Sequence, residues 1–432
     1  DGVMATAGLD AGDEHTCAWS EAGAVWCWGG NTDGRLGLGM TPGATPAPRE
    51  VLGLSGATSI AVGHSRHACA TTPEGTFCWG KNFYDEDETE WEPVEGELGI
   101  GTTLSMPYAR QPVIDENATP LIGTSLALAA ESSALLVGDI VYRWGYNNHN
   151  PSSGYAVNSG GCPDSCGNQC TDCGLNARPV VDSNGGDIIT GILDHAAGKA
   201  MMCIVRAPDL EVWCNGNDDD HYDTLGNGVS EEGQNQFEPY PVPVLLEGDA
   251  GTLDGVTTLA GNGHTTCAIR DDRQVWCWGS NHSGQRANGE AGGGVSPSPP
   301  MSSPAHLESG AVHEADRIAV GTNHVCTLNL DTKAIHCWGA NGSGQLGLGP
   351  GAETKVKWAT KIGEMGVGVW PADLVGIAAG GDHTCAVAEG GQVYCWGGNH
   401  MGQLGTGEGD LGDKLYPWQS SVTDATAIAA GA

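Results

Sequence analysis

Short apolar runs alternate with glycine-rich turns along the whole chain. A run of small apolar residues, such as Ile318-Ala319-Val320-Gly321, precedes two alternating segments, the second of which ends in Trp-Gly. Alternation of apolar and polar residues with a period of two predicts strands, and the glycines between them predict tight turns. The pattern therefore predicts an all-β protein built from many short antiparallel strands.

One unit of this pattern occurs seven times. The copies cover residues 11–29, 63–80, 130–145, 198–216, 261–279, 321–339 and 380–397. In six copies a cysteine lies on each side of a short turn. Because antiparallel partners in a hairpin share a constant sum of residue numbers, the two cysteines define the register. Setting Cys17 opposite Cys27 places Trp19 opposite Val25.

The same rule predicts the register of the other hairpins. It pairs apolar residues beside the cysteines in four further copies: Val205 with Val212, Ile269 with Val275, Leu328 with Ile335 and Val387 with Val393. The third copy has no cysteines, and Leu135 is taken as the equivalent of the first one. For this copy we expect Leu135 opposite Arg143 and Val137 opposite Val141.

A single hairpin cannot bury its apolar face alone, so repeated hairpins must stack around a closed architecture. The repeats predict a seven-bladed β-propeller with four antiparallel strands per blade, formed as a single domain by residues 1–432. The small apolar strand that precedes each hairpin occurs an eighth time at Ile428-Ala429-Ala430-Gly431, where it either closes the ring or begins a further segment. Inserts at about 83–97, 146–176 and 218–240 interrupt the repeat.

The repeat resembles a known family. The order Ala-Ala-Gly, His-Thr, hairpin, Trp-Gly, Asn and Gly-Gln-Leu-Gly is similar to the regulator of chromosome condensation repeat, most clearly in residues 321–349 and 380–407. The resemblance covers nearly the whole chain and implies a seven-bladed propeller that binds other proteins through its faces. The family includes a nuclear exchange factor for a small GTPase, a plant ultraviolet photoreceptor and secreted bacterial proteins. Acidity and paired cysteines favour the secreted bacterial type.

Twelve of the sixteen cysteines occupy directly opposed hairpin positions. The predicted disulfide pairs are Cys17/Cys27, Cys69/Cys78, Cys203/Cys214, Cys267/Cys277, Cys326/Cys337 and Cys385/Cys395. Facing residues in an antiparallel pair have Cα atoms about 4.5 Å apart, which a disulfide can bridge with little movement. A structural zinc ion needs four ligands, whereas only two thiolates meet in each hairpin. Disulfides predict an oxidising compartment.

The other four cysteines form a cluster inside the second insert. They are Cys162, Cys166, Cys170 and Cys173. Two local disulfides are predicted from the oxidising context, and a metal site with four thiolate ligands is the alternative. The sequence does not define the connectivity.

Charge excludes some partners. The chain has 53 acidic and 18 basic residues and a formal net charge of −35. Such a charge repels nucleic acid and anionic membrane surfaces. No stretch of 18 apolar residues is present, so membrane insertion is not expected. The chain begins at Asp1 without a basic and apolar leader, and we expect an export signal to have been removed. The predicted location is secreted or cell surface.

Residues that could carry chemistry mostly recur at repeat positions. His15, His67, His324 and His383 each stand two residues before a hairpin cysteine, and we interpret them as structural residues of the blades. No nucleophile, phosphate-binding or zinc-protease motif is present. Asp218, Asp219 and Asp220 form an acidic run that could bind calcium, although it lacks the alternating spacing of a calcium loop. No other cofactor is expected.

Long inserts on a rigid scaffold commonly carry function, so the predicted function is extracellular protein binding or assembly through these loops. The candidate partner-binding residues are the aromatic residues of the inserts: Phe83, Tyr84, Trp91, Tyr146, Tyr155 and Tyr222. Two alternatives stay open, a hydrolase or lyase that uses a cleft on a propeller face, and a structural module of a larger surface protein.

Overall fold

The structure is a computed structural model that describes part of the chain. The described residues are 6–12, 15–39, 45–63, 67–82, 96–102, 104–128, 132–145, 176–183, 186–198, 201–218, 224–228, 236–246, 251–291, 302–363, 373–406, 411–420 and 425–431. Two compact units are present. One contains residues 1–207, 237–241 and 431, and the other contains residues 208–236, 242–430 and 432.

The strands form seven sheets, which are the blades of a β-propeller. Blade 1 contains β1 (Thr6–Ala11), β2 (His15–Ser20), β3 (Val25–Gly29) and β4 (Thr45–Glu50). Blade 2 contains β5 (Ser59–Val62), β6 (His67–Thr72) and β7 (Gly75–Gly80). Blade 3 contains β8 (Ser125–Leu128), β9 (Ser132–Val137), β10 (Ile140–Gly145) and β11 (Arg178–Pro179). Blade 4 contains β12 (Ile192–Ala197), β13 (Met201–Arg206), β14 (Glu211–Asp218) and β15 (Gln236–Pro243).

The remaining blades lie in the second unit. Blade 5 contains β16 (Val256–Asn262), β17 (Thr265–Arg270), β18 (Val275–Gly279) and β19 (Ser303–Pro304). Blade 6 contains β20 (Arg317–Val320), β21 (His324–Leu328), β22 (Ile335–Ala340) and β23 (Lys355–Lys361). Blade 7 contains β24 (Leu374–Ala379), β25 (His383–Ala388), β26 (Val393–Gly397) and β27 (Lys414–Gln419).

Strands follow one another in chain order across each sheet, and neighbouring strands are antiparallel. Blade 2 has three strands, and isolated bridges of Phe77 to Pro112 and of Gly80 to Met106 stand in the place of a fourth strand. The fold class predicted from the sequence is therefore confirmed. The one helical element in the described chain is a short 3-10 turn at Thr32–Gly34.

The hairpin register follows the cysteines. Cys17 faces Cys27 and Trp19 faces Val25, as predicted. The predicted pairs Ile269 with Val275, Leu328 with Ile335 and Val387 with Val393 are also present. Disulfides join Cys17 to Cys27, Cys69 to Cys78, Cys267 to Cys277, Cys326 to Cys337 and Cys385 to Cys395. Their Cα atoms lie 4.0–4.2 Å apart, close to the spacing of facing strand residues.

Blade 3 differs from the expected register by one residue. Leu135 faces Tyr142, Val137 faces Ile140, and Ala134 faces Arg143, so the predicted pairs Leu135 with Arg143 and Val137 with Val141 are wrong. The turn contains two residues, with Gly138 at a φ of 64° in its first position, whereas the prediction assumed three. Shortening a turn by one residue moves every partner by one.

This shift changes which residues replace the cysteines. Trp144 faces Ser133 in blade 3, just as Trp79 faces Ala68 in blade 2. The next pair along the hairpin is Ala134 with Arg143, the position that Cys69 and Cys78 occupy in blade 2. Ala134 and Arg143 therefore stand where the other blades have their disulfide, and Leu135 points to the opposite face of the sheet.

Within each unit, buried cores lie between neighbouring blades. The face of a hairpin that carries the disulfide packs against the tryptophan of the Trp-Gly pair in the next blade. These buried clusters combine Cys17 and Cys27 with Trp79, Cys69 and Cys78 with Trp144, Cys267 and Cys277 with Trp338, and Cys326 and Cys337 with Trp396. Each of these four disulfides thus has both a covalent role within its blade and a packing role against the next.

The eighth apolar segment does not form a strand. Residues Ile428 to Gly431 have no regular secondary structure, which corrects the expectation of a further strand. Ile428 instead packs against the buried cluster around Cys385 and Cys395. Among the described residues, no helix is long and apolar enough to cross a membrane.

Candidate functional site

The repeated histidines join neighbouring blades. His67 Nε2 lies 2.9 Å from the Ser133 hydroxyl, which donates to the Glu97 carbonyl at 3.3 Å. The indole of Trp144 donates to the same carbonyl at 2.8 Å. The Ser133 hydroxyl donates its only proton to the Glu97 carbonyl. In the bond between His67 and Ser133, His67 Nε2 must therefore be protonated and act as the donor. One chain of hydrogen bonds thus links blades 2 and 3.

Blades 6 and 7 repeat this arrangement. His324 Nε2 lies 2.8 Å from the Thr384 hydroxyl, which donates to the Gln345 carbonyl at 2.8 Å. Both rings are buried, and burial lowers the pKa of His324 to about 3 and that of His67 to about 4. Neutral rings that donate one hydrogen bond have a structural role. The interpretation of these histidines as blade residues, rather than as a catalytic or metal-binding ring, agrees with this geometry.

His15 occupies the same position in blade 1 without this partner. Its side chain is buried, and neither ring nitrogen has a hydrogen-bond partner. Blade 2 has Ala68 where blades 3 and 7 have Ser133 and Thr384. Burial lowers the pKa of His15 to about 3, with smaller contributions from the nearby Arg35 and His67. His15 is therefore a buried polar residue that is not satisfied.

In five blades of the described chain, an asparagine three residues after the tryptophan of the Trp-Gly pair anchors the loop that follows. The Asn31 side-chain oxygen accepts from the Leu36 amide at 3.1 Å, and the Asn341 oxygen accepts from the Leu346 amide at 3.2 Å. In blade 2 the same bond joins Asn82 to Leu98 at 2.9 Å, across the first insert. The insert therefore lies inside this loop, and its two ends are held as in a blade without an insert. Glu97 belongs to the repeat, because its carbonyl is part of the link between blades 2 and 3.

The sequence-predicted partner residues lie outside the described residues. This group contains Phe83, Tyr84, Trp91, Tyr146, Tyr155 and Tyr222, and the cysteines Cys162, Cys166, Cys170 and Cys173. Asp219 and Asp220 also lie outside them, and Asp218 is the last residue of β14. The roles proposed for these residues stay predictions. Cys203 and Cys214 are both disulfide-bonded. Within the part of the chain that the structure describes, no group of three or more His, Cys, Asp or Glu residues is arranged to bind a metal ion.

The described surface instead has an apolar concentration on blade 7. Met401 is 90% exposed, Leu411 56%, Trp418 44%, Leu415 39% and Tyr416 39%. Twelve large apolar residues are exposed in the described chain, and these five lie within only 18 positions of the sequence. We call this set the blade 7 surface. A concentration of exposed apolar side chains is a candidate interaction site.

Blade 6 supports the blade 7 surface from one side. The Gly349 amide donates to the Leu415 carbonyl at 2.9 Å, and a Cβ atom on Gly349 would lie 2.4 Å from the Tyr416 ring. Lys414 Nζ lies 5.3 Å from the centre of the Trp418 ring, within the range of a cation–π contact. The strand β27, which carries Leu415, Tyr416 and Trp418, is therefore held in place by the blade 6 loop that contains Gly349.

Sequence reasoning missed this surface. Its signal was the segment Leu415-Tyr416-Pro417-Trp418, which has three large apolar residues in a strand outside the disulfide-bonded hairpin. The segment fits the repeat pattern, whereas the inserts clearly interrupt it, so the pattern directs attention to the inserts.

The blades, their register and their links define the class of this protein as a seven-bladed β-propeller. Models of the regulator of chromosome condensation (RCC1) repeat match residues 8–35, 22–70, 256–285, 374–403 and 390–432. The yeast protein Prp20p (Saccharomyces cerevisiae) superposes with a TM-score of 0.66 at 21% identity, over 95% of this chain and 90% of its own. The chain thus contains repeats of the RCC1 type.

Two curated relatives are similar in sequence. The ultraviolet-B receptor UVR8 of Arabidopsis thaliana is 30% identical over 238 residues, which are 54% of this chain and 47% of the receptor. The human E3 ubiquitin-protein ligase HERC2 is 25% identical over 402 residues, which are 91% of this chain and 7% of the ligase. The chain thus spans less than half the length of these relatives.

Proposed function

We propose that this propeller binds another protein through the blade 7 surface and acts outside the reducing cytoplasm. The observation that carries the first part is the concentration of exposed apolar side chains between Met401 and Trp418. Trp and Tyr side chains dominate the binding energy of many protein interfaces, because each buries a large area at a small entropic cost. The family context supports the same function, since Prp20p is described by its binding to Gsp1p and histones.

The compartment is supported by cysteine chemistry. Five hairpins have a disulfide between their own strands, and Cys203 and Cys214 are also disulfide-bonded. Disulfides at so many equivalent positions persist in oxidising environments and are reduced in the cytosol. A secreted or cell-surface location accounts for them. Fractionation of the source cells, with the protein detected by antibody, tests this part, and recovery of all the protein with reduced cysteines from the cytosol contradicts it.

The binding function is tested with a variant in which a photo-crosslinking amino acid replaces Trp418. A matched variant carries the crosslinker at Leu193, which is 55% exposed and lies on blade 4. A partner captured from the extracellular fraction by the first variant alone is then purified and titrated against the wild type, Trp418→Ala and Leu193→Ala. We expect Trp418→Ala to weaken binding at least tenfold and Leu193→Ala to leave it unchanged.

The inserts are tested in the same titration. Deletions of residues 83–95, 146–175 and 219–223, which lie inside the inserts and leave Glu97, Asn176 and the strands β14 and β15 intact, are compared with the wild type and with Trp418→Ala. Loss of binding on one deletion, with Trp418→Ala unchanged, contradicts the blade 7 surface and supports the function predicted for that insert. Unchanged binding by all three deletions, with a loss for Trp418→Ala, supports the blade 7 surface.

A further inference from the structure

Lysine is scarce in this chain and is concentrated on one strand. Seven of the 432 residues are lysines, and Lys355, Lys357 and Lys361 all belong to β23. All three side chains are exposed. In a chain with a net charge of −35, three cationic groups on a strand of seven residues form an exception to the rest of the sequence.

No carboxylate of the described residues neutralises these lysines. Lys357 and Lys361 form no ion pair with any described residue, and Lys355 Nζ donates to the His282 carbonyl at 3.0 Å. The ion pairs present in blades 5 and 6 use Arg270 and Arg273 instead. The positive charge of β23 is therefore available to a partner.

We propose that β23 binds an acidic, extended polypeptide segment of the partner. The proposal rests on the protein-binding function proposed above and identifies the chemistry of that partner. Lys355 and Lys357 are two residues apart, which corresponds to about 7 Å along a regular strand. Carboxylates at alternate positions of an extended peptide have the same spacing. Charge complementarity at short range thus selects an acidic segment with alternating carboxylates.

β23 is connected to the blade 7 surface through the loop that precedes it. The loop that leads into β23 touches β27, because the Gly349 amide donates to the Leu415 carbonyl, and Lys355 follows Gly349 by six positions. One partner can therefore place an apolar group on the blade 7 surface and an acidic segment on β23. At physiological salt the screening length is about 8 Å, so the local lysines dominate over the distant acidic residues of the chain.

Protection of a sheet edge is the competing explanation for these lysines. Outer strands are often guarded against pairing with other chains by lysine or proline. Each of the other outer strands, β4, β11, β15, β19 and β27, contains proline, and β23 contains none. The backbone of β23 is already partly covered, because the Gly289 amide donates to the Lys357 carbonyl at 3.0 Å. Reversal of the charge separates the two explanations, since glutamate guards an edge but repels an acidic peptide.

The test uses a fluorescent twelve-residue peptide of alternating Glu and Ser, and a peptide of the same composition with six Glu followed by six Ser. Anisotropy titrations at physiological salt compare the wild type, Lys357→Glu/Lys361→Glu, Lys357→Gln/Lys361→Gln and the control Arg49→Glu/Arg317→Glu. Arg49 and Arg317 are exposed on other strands, so the control changes the net charge by the same amount. Circular dichroism and gel filtration verify that each variant is folded and monomeric.

We expect the alternating peptide to bind the wild type more tightly than the block peptide does. The double Glu variant should lose at least tenfold in affinity, the double Gln variant should lose less, and the control should stay within twofold. Equal losses for the control and the double Glu variant overturn the proposal, because net charge alone then explains the binding. Binding of a twelve-residue oligothymidylate as tightly as the peptide also overturns it.

The captured partner distinguishes this inference from the proposed function. If Trp418→Ala weakens partner binding while Lys357→Glu/Lys361→Glu leaves it unchanged, the proposed function stands and the acidic-segment inference is wrong. If both variants weaken partner binding, both are supported. If neither does, both are wrong.

Discussion

Two junctions between blades use the same histidine position with different outcomes. At the junction of blades 2 and 3, His67 donates to Ser133, and the Glu97 carbonyl accepts from both Ser133 and Trp144. At the junction of blades 1 and 2, His15 faces a blade that has Ala68 in place of the serine, and both of its ring nitrogens are buried without a partner. The tryptophan bond is retained, since Trp79 donates to the Arg35 carbonyl at 3.0 Å.

The difference shows that the histidine does not act alone. The contribution of the histidine to stability depends on the residue before the first cysteine position of the next blade. A hydrogen-bonded pair therefore requires suitable residues at two positions that are more than fifty residues apart in the sequence. A buried polar group without a partner costs about 1–3 kcal/mol, and a satisfied hydrogen bond contributes about 0.5–1.5 kcal/mol. The junction of blades 1 and 2 should therefore be the weaker of the two.

Acid should weaken both junctions, and this is the largest effect that we expect. The folded pKa of His15 is about 3 and that of His67 about 4, below the value of 6.5 for an exposed histidine. The folded protein prefers the neutral rings, so the stability is fully present above pH 6.5 and falls as the pH decreases. Each histidine should cost about 2 kcal/mol of unfolding free energy between pH 6.5 and pH 4.5, because the slope approaches about 1.36 kcal/mol per pH unit only once that histidine is mostly protonated in the unfolded state.

The measurement is urea unfolding at the two pH values, followed by tryptophan fluorescence. His15→Gln should lose about 2 kcal/mol less than the wild type over this interval. His282→Gln serves as the control, because His282 is exposed, and its loss should equal that of the wild type. A His15→Gln variant with the full wild-type loss would show that His15 is protonated in the folded protein.

Removal of the Ser133 hydroxyl should make the junction of blades 2 and 3 as weak as the junction of blades 1 and 2. Ser133→Ala leaves His67 Nε2 buried without a partner, and we expect the unfolding free energy at pH 7 to fall by about 1–3 kcal/mol. Ser132→Ala is the matched control, because Ser132 is adjacent, only half-buried and at the equivalent of the histidine position. Its effect should stay within about 0.5 kcal/mol. Equal effects of the two substitutions would contradict the role assigned to Ser133.

The repeats made the fold predictable, and the cysteines made the register predictable. Cys17 and Cys27 must face each other to form a disulfide, so the positions of Trp19 and Val25 followed directly. Blade 3 has no cysteines, and its turn of two residues at Gly138 and Asp139 could not be distinguished from one of three by alternation alone. The wrong register there shows how much of the prediction depended on the disulfides.

The candidate site was less predictable. The sequence identifies His15 and His67 as equivalent, yet only the packing of neighbouring blades shows that Ala68 and Ser133 determine their environments. Trp418 and Tyr416 were visible in the sequence, but their exposure depends on where β27 lies in its sheet. The lysines of β23 were also visible, and their significance required knowledge of which carboxylates lie near them.

The smallest expected effect is a gain at the weaker junction. Ala68→Ser should give His15 the hydroxyl partner that His67 has, and the new hydroxyl would donate to the Arg35 carbonyl, which already accepts from Trp79. Serine fits the equivalent position in blade 3, so we expect the unfolding free energy to rise by about 0.5–1.5 kcal/mol at pH 7. A double-mutant cycle with His15→Phe isolates this bond, because the gain must disappear when the imidazole is absent. A gain that persists in the His15→Phe background would assign the stabilisation to the carbonyl bond, and a loss in the wild-type background would mean that the two junctions differ in backbone geometry as well as in one hydroxyl.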